Sequence, residues 1–124
     1  MNTTPTVGRI VYYKLSETDA YQINKRRDDY GLKPELERVP GSQRHVGNRV
    51  SAGDVFPMIV VRVWNEEKVS VNGQVFLVGN VTFWATSVHQ GEGGHEWDWM
   101  PYQKDQQARL SEEEKKTDAA QMGG

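Results

Sequence analysis

The stretch that most constrains the fold runs from Gly53 to Pro101, where short alternating apolar segments coincide with most of the aromatic side chains. All four tryptophans of the chain lie within it: Trp64, Trp84, Trp97 and Trp99. Alternation with a period of two is typical of half-buried β-strands, and aromatic side chains supply much of the core of a small domain. The segment therefore predicts a β-rich core, and it leaves open which aromatics face a ligand instead.

The length and composition set the class of protein. A chain of 124 residues is the size of one domain. The absence of cysteine excludes disulfides and thiolate metal sites and fits a reducing cytosol. No apolar run reaches the ~18 residues of a membrane-spanning helix, and the N-terminus lacks the pattern of a signal peptide. We therefore expect an intracellular protein without a membrane partner.

Charge is uneven along the chain although the net charge is only −2. That balance gives no general attraction to nucleic acid or to anionic membranes, so neither is an expected partner. Basic residues nevertheless concentrate between Lys25 and Arg49, whereas acidic residues dominate after Lys104. The basic stretch is either a patch that faces a phosphate-bearing ligand or an ordinary solvated surface diluted by interspersed carboxylates.

The N-terminal third predicts a strand followed by a helix. Residues 7–14 are β-branched and aromatic, which is typical of a strand. Ser16 and Asp19 have the spacing of a capping box, in which each side chain bonds the backbone amide of the other. We therefore expect a helix over residues 16–30 that ends at Gly31, since glycine is favoured just beyond a helix C-terminus.

The strongest strand prediction covers residues 58–64. Strict alternation would point one apolar set toward the core: Ile59, Val61 and Val63. Arg62 and Trp64 would then lie together on the opposite face. That opposite face is where we expect the binding surface.

Turn signals divide the rest of the aromatic segment. Asn72-Gly73 is the strongest two-residue hairpin signal in the chain, and Gly79-Asn80 marks another turn. Strands are then expected over residues 82–88 and 96–100. In the second of these, Trp97 and Trp99 share a face because they are two residues apart.

These elements predict a mainly β (α+β) fold: a small SH3-like antiparallel barrel or curled sheet of five or six strands, with one helix after the first strand. The β domain would span residues 1–101, with the helix at 16–30 and a long loop at 31–54. Residues 102–124 form a polar C-terminal tail that is helical or disordered.

The sequence contains no motif of a known catalytic site. A P-loop, a nucleophile elbow, a zinc-protease motif and a dinucleotide fingerprint are all missing, so we predict no enzyme and no cofactor. His89, Glu92 and His95 surround a glycine-rich stretch and are weak candidates for a metal site, because imidazole and carboxylate suit zinc. Three converging ligands would be required.

A ligand site of aromatic and basic side chains is the more favoured interpretation. Aromatic rings stack on bases, and arginine forks bind phosphate oxygens. Seven residues are the candidates for ligand binding: Arg49, Arg62, Trp64, Asn80, Trp84, Trp97 and Trp99. The alternative is that several of these tryptophans only fill the core of the barrel.

Four segments of the chain resemble a largely uncharacterised family of small proteins encoded in tailed-phage genomes. The segments are PTVGRIVYYKLSETDAYQINKRR, GNRVSAGDVFPMIVVRVW, VNGQVFLVGNVTFWATSV and GEGGHEWDWMP. They cover roughly residues 5–101. The resemblance implies a phage origin, and it carries over no catalytic residue.

Phage origin favours a non-enzymatic accessory protein. The leading hypothesis is an oligomer in the host cytoplasm that sequesters a small anionic ligand, such as a nucleotide immune signal, or binds a host defence factor. The alternative is a structural, decoration or assembly protein of the virion.

Overall fold

The structure, a computed structural model, describes residues 4–32, 44–64 and 69–122. Within these ranges it contains five strands and two helices. In chain order they are β1 (Ile10–Lys14), α1 (Glu17–Leu32), β2 (Val55–Trp64), β3 (Ser70–Phe76), β4 (Thr82–Gln90), β5 (Glu96–Asp98) and α2 (Pro101–Met122). Of the predicted long loop at 31–54, residues 33–43 lie outside the described residues, and residues 31 and 32 belong to α1.

The five strands form a closed barrel in chain order, in which β1 pairs with both β2 and β5. This confirms a small, mainly β barrel consistent with the SH3-like type, with a helix after the first strand. Four of the pairings are antiparallel, but β4 and β5 pair in parallel. The prediction of an antiparallel barrel is therefore wrong only for the pairing of β4 with β5.

The start of α1 is fixed by the predicted capping box. The Asp19 amide donates to Ser16 Oγ at 3.1 Å, and the Ser16 amide donates to Asp19 Oδ2 at 3.0 Å. Ala20 and Ile23 then turn inward onto the barrel. The helix continues to Leu32, so Gly31 lies inside its last turn and does not end it as predicted.

The predicted faces of β2 are wrong. Met58 and Val60 are fully buried, whereas Val61 is exposed on the outside. The pairing of β2 with β3 shifts between Val60 and Arg62, which marks a β-bulge at Val61. After the bulge Val63 packs against the core. Residues 58–61 are all apolar, so alternation carried no information about which face is inside until Arg62.

The hairpin predicted at Asn72-Gly73 is also absent, because both residues lie within β3. A Cβ on Gly73 would come within 2.4 Å of Met58 Cγ. Glycine is therefore needed here for the close approach of β2 and not for a turn. Asn72 lies at a second register shift, between Val71 and Gly73, where β3 meets β4.

The remaining elements complete the core and close the barrel. Phe83 and Ala85 of β4 are buried, as are Trp97 of β5 and the following Trp99. The polar tail is helical as far as Met122. Its first turn is fastened to the barrel by Gln103, whose side-chain amide donates to the carbonyl of Ile10 at 2.9 Å.

Neither described helix combines the length and the apolar character that a bilayer crossing would require.

Candidate functional site

Arg62 and Trp64 lie together on the outer surface of β2, as the sequence predicted. The Arg62 guanidinium carbon is 3.9 Å from the centroid of the Trp64 ring, which is the geometry of a cation–π pair. The Trp64 indole donates to Asn72 Oδ1 at 3.1 Å, and the same oxygen accepts the Ser87 amide at 2.8 Å. One face of this tryptophan is therefore occupied from within the chain.

Arg49 and Asn80 hold other segments in place. Arg49 pairs with Asp28 of α1 at 2.7 Å. Asn80 Oδ1 accepts the amide of Val46 at 3.0 Å, and so ties the turn after β3 to the segment that precedes β2.

The other three candidate tryptophans divide between the surface and the core. Trp84 projects from the outer face of β4 and is 48% exposed. Trp97 and Trp99 pack edge to face, with ring centroids 5.5 Å apart, and are only 2% and 3% exposed. The two tryptophans lie together, as predicted, but they lie in the core. Their expected placement on an open ligand surface is therefore wrong.

A depression between α1, the segment before β2 and the start of β4 is lined by two arginines and a histidine. We call it the basic cleft. It is shallow and opens to solvent, with room for about one water molecule. The described lining residues are basic, apolar or uncharged, and none of them is a carboxylate: Ile23, Arg26, Arg27, His45, Leu77, Val81, Thr82 and Phe83.

Arg27 is the unusual residue of the basic cleft. Its side chain is 92% buried, since only 8% is exposed. Nη2 makes one long contact of 3.4 Å to the carbonyl of Val78, while Nε and Nη1 have no hydrogen-bond partner in the described structure. Burial lowers the pKa of Arg27 below its ordinary value, yet a guanidinium stays charged at neutral pH. A buried charge is normally paired, and no carboxylate among the described residues forms an ion pair with Arg27.

The neighbouring carboxylates do not pair with Arg27. Asp28 is paired with Arg49, and Asp29 is paired with Lys25 at 2.8 Å. The positive field is strong enough to act on His45, whose pKa is lowered by burial first and then by the charges of Arg26 and Arg27.

The backbone at Gly47 and Gly79 approaches the Arg27 guanidinium closely. A Cβ on Gly47 would lie 2.8 Å from Arg27 Nη2, and a Cβ on Gly79 would lie 3.0 Å from it. These two glycines also form an isolated bridge. They hold the guanidinium against backbone, which fixes its position.

None of the seven candidate residues lines the basic cleft. The basic stretch from Lys25 to Arg49, which the sequence analysis considered as a possible phosphate-facing patch, does contribute to the basic cleft. The sequence could not show that Arg27 is the buried arginine of this stretch, because its burial depends on the distant turn after β3.

A second polar cluster joins β1, α1 and the turn before β5. The Tyr13 hydroxyl donates to Asp19 Oδ2 at 2.5 Å and lies 2.5 Å from His95 Nδ1. Since the single phenolic hydrogen goes to the carboxylate, the imidazole must donate through Nδ1, which leaves Nε2 unprotonated in neutral histidine. Burial, followed by the hydrogen bond and charge of Asp19, raises the pKa of Tyr13 far above its usual range.

The weak metal site predicted from His89, Glu92 and His95 does not form. No group of three metal-ligating side chains converges among the residues that can be described. His95 commits one ring nitrogen to Tyr13, and the Glu92 backbone carbonyl accepts a hydrogen bond from Lys14 Nζ at 2.7 Å.

A larger open cleft beside β5 has mixed charge. Glu92, Glu96 and Asp98 line it together with Lys14 and Lys104. Lys104 is paired with Asp98 at 2.7 Å. The excess of carboxylates makes this cleft unsuitable for an anion, so the basic cleft is the better candidate.

Comparison with known proteins gives no relative from which a function could be transferred: no family model, no curated protein and no solved structure matches the chain.

Proposed function

We propose that this protein is a non-catalytic binding protein that holds a small anionic ligand in the basic cleft. The observation that carries the proposal is the buried Arg27 guanidinium, which has two unpartnered nitrogens beside Arg26 and His45. Hydrogen bonds from a guanidinium to a carboxylate or phosphate are among the strongest polar contacts in proteins. Nε and Nη1 face different edges of the guanidinium plane, so each would need its own acceptor oxygen.

The ligand class includes nucleotide signals, which carry phosphate groups of this kind. Sequestration of such a signal in a host cell, and the phage origin itself, rest on the sequence resemblance and belong to the same proposal. The cleft has room for about one water-sized group, so an anion would enter it through an oxygen atom and make its other contacts outside.

The test is thermal unfolding of the full chain with sulfate, inorganic phosphate, pyrophosphate and a panel of mono-, di- and cyclic nucleotides. A ligand present at a hundredfold excess over its dissociation constant stabilises the folded state by about 2.7 kcal/mol. We expect at least one anion to raise the melting temperature in a saturable manner.

Arg27→Gln is the informative variant, with Arg49→Gln as its matched control, because Arg49 is exposed and already paired. Charged hydrogen bonds contribute about 1.5–3 kcal/mol each, so Arg27→Gln should weaken anion binding by roughly ten- to a hundredfold. The ligand-free variant should be at least as stable as the original, since removal of an unpaired buried charge relieves a desolvation cost.

Two results would contradict the proposal. One is an absence of stabilisation by every anion in the panel. The other is an equal loss of binding in Arg27→Gln and Arg49→Gln, which would indicate general charge attraction in place of a defined site. Recovery of the protein from purified virions would instead favour the structural role.

A further inference from the structure

The open cleft beside β5 has no part in the proposed anion site. It lies between β1, β5, the glycine-rich turn before β5 and the first turn of α2, and we call it the mixed-charge cleft. Its volume is about 280 Å³, whereas the basic cleft has room for about one water molecule. Sites for drug-sized ligands begin at about 300 Å³, so the mixed-charge cleft is the right size for a smaller molecule.

Strand register places three kinds of side chain in one row across this cleft. Val55 of β2 pairs with Lys14 of β1, and Lys14 pairs with Glu96 of β5. All three residues line the cleft. Adjacent strands are about 4.8 Å apart, so an apolar group, a cation and an anion follow one another over roughly 10 Å. A small ligand in the cleft can therefore contact all three.

The Glu96 carboxylate is held in place by the turn before β5. Its Oε1 accepts the Gly93 amide at 3.0 Å. A Cβ on Gly91 would collide with Oε2, so glycine at that position leaves the space that the carboxylate occupies. Glu96 forms no ion pair with any residue that the structure describes. Since an ionised carboxylate has about four acceptor directions, Glu96 can still accept hydrogen bonds from an ammonium group.

Lys14 has the same capacity with the opposite charge. Its ammonium group donates to the carbonyl of Glu92 at 2.7 Å, which uses one of its three N–H donors. It forms no ion pair with a carboxylate in the described part of the chain, although Glu96 is its neighbour on β5. Lys104, which also lines the cleft, differs because it is bonded to Asp98 at 2.7 Å. Lys14 can therefore donate to a ligand carboxylate.

The same cleft offers apolar contact beside these charges. Tyr12 is 38% exposed and Val55 is 44% exposed, and both line it, as does Pro101 at the start of α2. Small-molecule sites usually combine an apolar surface with a few polar groups that fix the orientation of the ligand. The apolar part of a ligand would therefore lie against Tyr12 and Val55.

The charges in the cleft favour a ligand that carries both signs. A simple anion would be repelled by Glu92 and Glu96, and a simple cation would be repelled by Lys14. An α-amino acid is neutral overall and carries an ammonium group for Glu96, a carboxylate for Lys14 and a side chain for the apolar surface. We propose that the mixed-charge cleft binds a free α-amino acid with an apolar side chain.

Titration calorimetry of the full chain with L-leucine, L-methionine and L-phenylalanine, at concentrations up to about 10 mM, covers dissociation constants into the millimolar range. We expect saturable binding of at least one of the three. The amide of that amino acid lacks the carboxylate, and its N-acetyl form lacks the ammonium group. Each capped form should bind at least roughly tenfold more weakly, because hydrogen bonds between charged groups are lost. The capped forms also distinguish a free amino acid from the end of a peptide, which retains only one of the two charges.

Glu96→Gln and Lys14→Gln should each weaken binding of the free amino acid by a similar factor. Glutamine at position 96 can still accept the Gly93 amide, so the turn keeps its hydrogen bond. Lys25→Gln is the matched control, because Lys25 lies on α1, does not line the cleft and is paired with Asp29. Circular dichroism would establish that all three variants are folded.

Three results would overturn the proposal. The first is an absence of binding by all three amino acids. The second is equal binding of the free and capped forms, a comparison that requires no variant. The third is an unchanged affinity in both Glu96→Gln and Lys14→Gln. Anion binding depends on Arg27 and is measured with different ligands, so either proposal can fail without the other.

Discussion

At the scale of single residues, Tyr13 determines how three parts of the chain meet. Its hydroxyl lies between a carboxylate from α1 and an imidazole from the turn before β5. His95 adopts φ +59°, a left-handed conformation that histidine adopts more readily than most residues. The hydrogen bond to Tyr13 holds the imidazole ring of His95 in place. The strained backbone of His95 and its contact with Tyr13 therefore occur together.

Tyr13→Phe tests the energetic role of this hydroxyl. The substitution keeps the buried ring but leaves the Asp19 carboxylate, which is only 5% exposed, without its shortest donor. Asp19 Oδ2 keeps the Ser16 amide as a donor, so the variant loses one hydrogen bond to a charged group, and the free energy of unfolding should fall by about 1.5–3 kcal/mol. Urea unfolding with linear extrapolation measures it.

Tyr12→Phe provides the control, since Tyr12 lies on the outer face one residue away and should lose far less. Equal losses in the two variants would indicate that the hydroxyl network contributes nothing specific.

At the scale of elements, β3 shows why a local signal can fail. Asn-Gly is favoured in tight turns, yet here the pair lies inside a strand. Glycine allows Met58 to approach the backbone, and Asn72 bonds both Trp64 and Ser87 across the neighbouring strands. Those partners are distant in sequence, so no local pattern could reveal them.

Gly73→Ala and Gly31→Ala separate close packing from backbone freedom. At Gly73 a Cβ would collide with Met58, so we expect a loss of about 1–3 kcal/mol from overpacking. At Gly31, inside α1, the added methyl meets nothing within 4 Å, and alanine should stabilise the helix by about 0.5–1 kcal/mol. Chemical unfolding of both variants gives the two signs directly.

If Gly73→Ala were neutral, the strand pairing of β2 with β3 around Met58 would have to be different from the one described.

The sequence predicted those features of the elements that depend on local patterns. The capping box of α1 is local, so the spacing of Ser16 and Asp19 predicted it correctly. The placement of β1, β2, β4 and β5 followed from apolar runs, which are also local, whereas the hairpin signal at Asn72-Gly73 wrongly divided β3. The inward face of β2 did not follow, because the choice between Val60 and Val61 depends on a bulge set by pairing with β3.

The candidate site was predictable to the same limited extent. The pairing of Arg62 with Trp64 follows from their spacing on one strand. The burial of Trp97 and Trp99 depends on the closure of β5 against both β1 and β4, which is a property of the whole barrel. The basic cleft likewise requires α1 to meet the turn after β3.

At the scale of the whole molecule, the basic cleft lies where α1 packs on the barrel. Its lining therefore comes from parts of the chain that are distant in sequence.

Anion binding should also be coupled to proton uptake. In the ligand-free protein the pKa of His45 lies below its usual 6.5, through burial first and then through Arg26 and Arg27. The described lining contains no carboxylate that would oppose this shift. A bound anion offsets the two guanidinium charges and raises the pKa of His45, so binding takes up a proton in the pH range between the free and bound values.

The sign follows directly: affinity should increase as the pH falls from 8 through the pKa of His45 in the complex, and level off below its pKa in the free protein. Sulfate is the suitable probe, because its own charge is constant over this range whereas that of phosphate is not. Calorimetry at several pH values, in buffers of different ionisation enthalpy, measures both affinity and proton uptake. His45→Gln should bind sulfate with little pH dependence, while an original protein whose sulfate affinity is flat from pH 5 to 8 would show that His45 does not sense the bound anion.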